Sequence, residues 1–294
     1  MGQLKACLQL TRPHQHVKNL FIWLPIFFAY KITDIEAVLH ALCAFIVFSL
    51  AAGSVYGLND ILDLKTDRDH PVKRNRPIAS GALDITTAAV FSLALLVLSF
   101  GISLAFLRSS VAILIGAYLL LNIGYSLFLK HIAIIDVTCI AVGFVLRVLV
   151  GARAADVPVS HWIVIMTFLL AILLALGKRR DDLLLAACGH NARKSLDGYS
   201  LEFVSQSMGI MTSVVIVAYL LYCVSPEVAE RHKTHDLYLT AVWVVLGLLR
   251  YLQAALVEGK SGSPTIVLLK DHFLQATIVG WVLTFYGLIY GFGG

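Results

Sequence analysis

The sequence predicts an all-α integral membrane protein, a bundle of about nine transmembrane helices, and three observations carry that reading. Of the 294 residues, 59% are hydrophobic and only 14% charged, and the mean hydropathy is +0.84, far from the composition of soluble globular domains. The apolar residues gather in stretches near the roughly 20 residues that a helix needs to cross the hydrocarbon core. Polar segments separate these stretches, which lie near 18–31, 36–58, 84–106, 110–128, 134–152, 161–177, 203–223, 237–257 and 272–291. Nothing soluble is left over, so residues 1–294 are expected to form a single transmembrane domain.

The first stretch, within MGQLKACLQLTRPHQHVKNLFIWLPIFF, follows a basic region that has no small-residue cleavage site. It is expected to be a retained helix rather than a signal peptide. Ala6 stands where a myristoylation signal wants Ser or Thr. Cys7, Cys43, Cys139, Cys188 and Cys223 are scattered without a CxxC pair, so they read as small apolar residues and not as a disulfide framework or zinc site.

Nine spans place the N-terminus and the segments 59–83, 129–133, 178–202 and 258–271 on one side of the membrane. Most Lys and Arg residues lie on that side, against Lys31, Arg108, Arg153, Arg231 and Lys233 opposite. It is therefore expected to be cytoplasmic, with the C-terminus outside, in a bacterial inner membrane. Asp60, Asp63, Asp67, Asp69, Asp181, Asp182 and Asp197 share it. Acids contribute little to topology, so a dense cluster of both signs points to a site for metal and anion together.

The segment after 36–58 reads GSVYGLNDILDLKTDRDHPVKRNRPIASG. If the helix continues to Asp67, then Asp60, Asp63 and Asp67 fall at i, i+3 and i+7, within about 60° of one another. Carboxylates so close at the edge of a low-dielectric region repel unless cations compensate them. Mg²⁺ suits such a set, because one or two carboxylates and substrate phosphates commonly hold it, and a diphosphate supplies the missing ligands. The bland alternative is a solvated helix end. Pro71 and Pro77 tie down a following loop loaded with Lys73, Arg74 and Arg76, which are donors for phosphate oxygens.

The spans 84–106 and 110–128 lead to Tyr125, Ser126 and Lys130, with Lys130 at the cytoplasmic start of 134–152 and placed for phosphate. Arg147 lies deep in that span on nearly the face of Asp136. At that depth an ionisable side chain meets either a partner or a substrate cavity. After 161–177 comes GKRRDDLLLAACGHNARKSLDGYS. Four spans separate it from the aspartate segment, so both face one compartment. Lys178, Arg179 and Arg180 fit either a topology anchor or a site, whereas Asp182, Arg193, Lys194 and Asp197 favour a second site. Residues 182–197 read as a polar helix-turn-helix with Gly189 and Asn191 at the turn. The outer loops, such as SPEVAERHKTHD, suggest no chemistry.

Together these residues resemble the UbiA-type intramembrane prenyltransferase superfamily, with its NDxxDxxxD motif after the second helix and a further polar motif after the sixth. The resemblance spans nearly the whole chain. It implies nine helices around a central cavity open to the cytoplasmic side, and Mg²⁺ holding a diphosphate. RPHQHVKNLFIWLPIF, DRDHPVKRNRPIASG, and KRRDDL followed by RKSLDGYS are more similar to the branch that makes 5-phosphoribosyl-monophosphopolyprenol, the decaprenyl-phosphate phosphoribosyltransferases. Asp60, Asp63 and Asp67 match the metal motif. Asn59, Lys18, Lys73, Arg76, Lys178 and Arg179 match its polar partners, and Asp182 stands where the family often has Glu.

The resemblance implies transfer of 5-phosphoribosyl from phosphoribosyl pyrophosphate (PRPP) to a polyprenyl phosphate. The acceptor oxygen is already anionic, so no general base is required. The lipid chain would lie between helices near Phe27, Phe28, Phe45 and Phe48, a stripe that plain packing also explains. The alternatives are prenyl transfer to an aromatic acceptor on the same fold and transport of an anionic metabolite. The expected partners are PRPP, the polyprenyl phosphate and membrane lipids, with no nucleic acid and with homo-oligomerisation left open.

Overall fold

The computed structural model describes residues 2–69, 72–187, 194–259 and 264–290, and they form helices and connecting turns with no strand. The helices are α1 (Gln3–Leu10), α2 (Leu24–Phe28), α3 (Ile35–Leu62), α4 (Leu64–Asp69), α5 (Ile85–Phe106), α6 (Ser109–Leu127) and α7 (Ile135–Ala154). Then follow α8 (His161–Ala187), α9 (Leu201–Val224), α10 (Pro226–His232), α11 (Ala241–Leu256), α12 (Pro264–Lys270) and α13 (His272–Tyr290). Among the described residues, eight helical segments are long and apolar enough to cross a membrane. The chain forms two compact units, the first running to Val164 and the second from Ile165, with Lys194 and Ser195 assigned to the first.

The span expected at 18–31 takes a different form. Pro13–Trp23 is a 3₁₀ helix that passes into the five-residue α2, so it is not among the eight. Its packing on α7 gives a physical reason. Asn19 accepts from Arg147 at 2.9 Å, and Ile22 passes so close to Gly151 that a Cβ there would lie 1.9 Å from the Ile22 carbonyl oxygen. Three residues of 3₁₀ helix and four of α-helix each rise about 6 Å. The steps 19 to 22 and 147 to 151 therefore stay in register.

Side-chain oxygens start the long helices. Asp34 accepts from the backbone of Glu36 and Ala37, Asp84 from Thr87, and Ser200 from Phe203. Small residues bring α3 against α5: a Cβ on Gly57 would collide with the Ser92 hydroxyl at 1.9 Å, and Ser99 donates to the Val47 carbonyl at 2.9 Å. Such close approach is how helices associate where lipid removes the hydrophobic drive. The core of the first unit gathers Val47, Phe48, Val111, Ile115, Tyr118 and Val150. Outward, α5 leaves Val90, Leu93, Val97 and Leu104 exposed on one face, as a lipid-facing surface requires. In the second unit, Arg250, placed by the sequence within a span, binds Asp271 at 2.7 Å and Glu258 at 2.6 Å.

Candidate active site

The first unit builds its polar site at the end of α3. This helix closes at Leu62, short of the continuation to Asp67 that the spacing suggests, and Asp63 caps it. The helical path nearly survives. The Asp63 N–H reaches the Asn59 carbonyl and the Asp67 N–H the Asp63 carbonyl, both at 2.9 Å, so α4 follows with only a slight break. Asp60 and Asp67 are buried at 2% exposure each. Asp63 is half-exposed and turned to a different partner.

Two chain segments deliver cations to these carboxylates. The loop after α4 folds back through Leu83 N–H to Pro77 carbonyl and Ser80 N–H to Arg76 carbonyl, both 2.9 Å. Ile78 and Leu83 anchor it in an apolar cluster with Ala6, Leu10 and Ala88. Arg76 Nη1 then lies 3.0 Å from Asp60 and 2.6 Å from Asp67. From the other direction, Arg12 adopts a left-handed backbone (φ 51°) between α1 and Pro13. It pairs with Asp60 and stacks over the Tyr56 ring at 5.0 Å. Burial, reinforced by Arg76, moves its guanidinium below the ordinary value, against the pull of Asp60. Lys130 meets Asp63 at 2.7 Å.

In the last turn of α6, beside Tyr125, the Ser126 hydroxyl lies against the Asn59 side-chain oxygen and 2.8 Å from the Asn122 carbonyl. Lys73 starts a short 3₁₀ turn (Lys73–Asn75) and is half-exposed. The structure thus joins Asp60, Asp67 and Arg76 directly, Asp63 with Lys130, and Asn59 with Ser126. Arg12, Tyr56 and Ser126 are additions to the set read from sequence. Arg12 stands in the RPHQHVKN string, but its approach to Asp60 depends on a backbone turn that composition does not reveal.

Among the described residues, no group of three or more His, Cys, Asp or Glu side chains converges as a preformed metal cluster. The donor chemistry nevertheless fits Mg²⁺. One guanidinium nitrogen of Arg76 is shared by two buried carboxylates and stands in for a cation between them. Two carboxylates plus substrate oxygens are a usual Mg²⁺ environment.

Among the described residues, Arg147 finds no carboxylate. Its Nε donates to Asn19 at 2.9 Å and its Nη1 to the Gly143 carbonyl at 2.7 Å, while Phe48, Tyr118 and Phe144 present ring faces about it. Asn19 in turn donates to Ser49 at 2.9 Å. Of the alternatives open in the sequence, pairing with an acid is absent among the described residues. Lys18, the neighbour of Asn19, is half-buried.

In the second unit, α8 runs ten residues past the expected span and carries the KRRDD string on its last turns. Arg179 is fully buried and pairs with Asp182, and Lys178 is half-exposed. Arg180 departs from them, donating to the Ala255 carbonyl at 2.7 Å and the Leu256 carbonyl at 3.3 Å at the end of α11. A cation there meets unpaired carbonyls and the negative end of the helix dipole, so Arg180 is an anchor. Arg193, with Gly189 and Asn191 of the expected turn, lies outside the described residues.

The sequence profile described as the UbiA prenyltransferase family matches residues 20–261. The chain is 31% identical to a decaprenyl-phosphate phosphoribosyltransferase of Mycolicibacterium smegmatis, covering 98% of this chain and 93% of that protein. It is 32% identical to a protein of the same name from Corynebacterium glutamicum, over 98% of this chain and 87% of the other. Among solved structures, a UbiA homolog from Archaeoglobus fulgidus bound to GPP and Mg²⁺ superposes with a TM-score of 0.72 at 18% identity. That match covers 95% of this chain and 99% of the homolog; it shows a shared fold.

Proposed function

The chain belongs to the UbiA prenyltransferase family, and from that membership we propose that it transfers 5-phosphoribosyl from PRPP to a polyprenyl phosphate and releases diphosphate. The full-length relatives named decaprenyl-phosphate phosphoribosyltransferase support a pentosyltransferase. The observation that carries the finer reading is the sharing of Arg76 Nη1 by Asp60 and Asp67, with Arg12 on Asp60 and Lys130 on Asp63 close by. Such a site offers a metal position and a surplus of cations, which suits a donor bearing a phosphate besides its diphosphate.

Asp60, Asp63 and Asp67 would hold Mg²⁺. Bound there, Mg²⁺ would supply positive charge against the departing diphosphate. Arg12, Arg76 and Lys130, joined by Lys73 and Lys18, would donate to phosphate oxygens. Asn59, held by Ser126, and Tyr125 contribute neutral polar contacts. The acceptor phosphate oxygen attacks the anomeric carbon of the ribose as the bond from that carbon to the diphosphate oxygen breaks. An anionic nucleophile needs no general base. In the second polar segment, Lys178, Arg179, Asp182 and Arg193 are proposed as further substrate contacts.

The reading extends to one catalytic domain over 1–294 in a bacterial inner membrane, with the N-terminus cytoplasmic and the C-terminus outside. The one-sided distribution of Lys and Arg supports that orientation, in which the segment 13–28 crosses the membrane in addition to the eight long helices. A donor panel tests the reaction: purified protein, Mg²⁺ and a polyprenyl phosphate should release diphosphate from PRPP. Release only from a prenyl diphosphate with an aromatic acceptor would overturn it in favour of prenyl transfer.

A further inference from the structure

We propose that Tyr56 is a positioning residue for the transfer: its ring holds the Arg12 guanidinium beside Asp60, where it meets the diphosphate, and Gly53 and Gly57 seat the chain turn that delivers it. Gly53, Tyr56, Gly57 and Asp60 fall at i, i+3, i+4 and i+7 of α3, so they form one stripe along the helix. The turn between α1 and Pro13 lies on that stripe. A Cβ on Gly53 would meet the Thr11 side chain at 3.4 Å, and one on Gly57 would meet the Leu10 side chain at 3.3 Å. The guanidinium of the next residue, Arg12, lies 5.0 Å from the centre of the Tyr56 ring and pairs with Asp60.

Charge alone does not keep Arg12 in this place. Asp60 Oδ1 accepts from both Arg12 and Arg76, and one carboxylate balances only one of two guanidinium groups. Arg76 has a second carboxylate, Asp67, at 2.6 Å. Among the described residues, Arg12 has Asp60 alone. Its backbone is costly as well, left-handed (φ 51°) ahead of a proline. The Arg12 N–H donates to the Gln9 carbonyl at 3.1 Å, and the Arg12 carbonyl accepts from the Gln15 N–H at 2.8 Å. Leu10 is buried with Ile78 and Leu83. These contacts fix the main chain of the turn, and the aromatic face fixes the guanidinium at its tip. Tyr56 packs in turn against the core cluster that contains Phe48 and Tyr118, so the ring is a firm platform. A guanidinium on such a face gains about three- to tenfold in occupancy.

The inference rests on the diphosphate part of the proposed reaction and is independent of which donor carries that group. Calorimetric titration of Mg²⁺-pyrophosphate into the detergent-purified protein tests it, with thermal unfolding of each ligand-free variant alongside. Arg12→Gln is expected to weaken binding about tenfold. Tyr56→Leu should weaken it about fivefold, while Tyr56→Phe, which keeps the ring, stays within about twofold of wild type. The double variant should bind no more weakly than Arg12→Gln, since the ring acts only through the guanidinium. Arg12→Lys leaves the core untouched and keeps the charge but loses the planar stack, so it should weaken binding about threefold or more; it carries the test if Tyr56→Leu does not fold. Losses that multiply in the double variant, a Tyr56→Phe loss equal to that of Tyr56→Leu, or wild-type binding by Arg12→Lys would each overturn the assignment. Failure of wild type to bind Mg²⁺-pyrophosphate would overturn the diphosphate reading and the proposal with it, whereas wild-type binding that Tyr56→Leu leaves unmoved overturns the proposal alone.

Discussion

Arg76 lies 2.6 Å from Asp67 through the same Nη1 that reaches Asp60 at 3.0 Å, so two buried carboxylates share one cationic nitrogen. Asp60→Asn and Asp67→Asn are expected to lower turnover on the order of 10²-fold and raise the Mg²⁺ concentration for half-maximal activity. Asp63→Asn should lower turnover with less effect on that Mg²⁺ requirement, since Asp63 faces Lys130. Chelation by EDTA should abolish wild-type activity, and added Mg²⁺ should restore it. Mg²⁺ titrations of all three variants, with size-exclusion profiles to verify folding, check this ordering.

The Asn19–Arg147 hydrogen bond couples the 3₁₀ segment to α7. A double-mutant cycle with Asn19→Leu and Arg147→Met should show an interaction of about 1–3 kcal/mol in unfolding from detergent. Additive losses would mean that the two residues act independently.

Gly151→Ala should destabilise the protein by about 1–3 kcal/mol, because its Cβ would meet the Ile22 carbonyl oxygen at 1.9 Å and force the 3₁₀ segment away from α7. Since Lys18 rides on that segment, KM for PRPP should rise as well. Thermal unfolding and KM measured together check both effects.

Arg180→Gln should cost about 1 kcal/mol of stability by uncapping α11 at Ala255 and Leu256, with donor KM unchanged. Arg179 borders it in sequence yet pairs with Asp182, and Arg179→Gln should alter KM. A matched effect of the two variants would contradict this division.

The membrane class and the aspartate segment were legible because hydropathy and charge are local properties of the chain. Asp60, Asp63 and Asp67 could be placed near one another from helical period alone. Their division into a pair on Arg76 and a single residue on Lys130 depends on a loop returning through Pro77 and on α6, which one-dimensional spacing does not contain. Arg180 reads like Lys178 and Arg179 in sequence, and only the position of the α11 terminus separates it. The 3₁₀ form of Pro13–Trp23 was hidden for the same reason, since its register is set by α7 more than a hundred residues away. Arg12 approaches Asp60 through a left-handed turn ahead of proline, a tertiary choice that residue preferences oppose.

Transfer of label from PRPP tests the central claim most directly. Purified protein, Mg²⁺, a polyprenyl phosphate and PRPP labelled in the ribose are incubated, and the lipid phase is extracted. The account predicts Mg²⁺-dependent label in the lipid, one diphosphate released for each ribose transferred, and loss of both in Asp60→Asn. Unlabelled lipid, together with turnover of a prenyl diphosphate onto an aromatic acceptor, would contradict it.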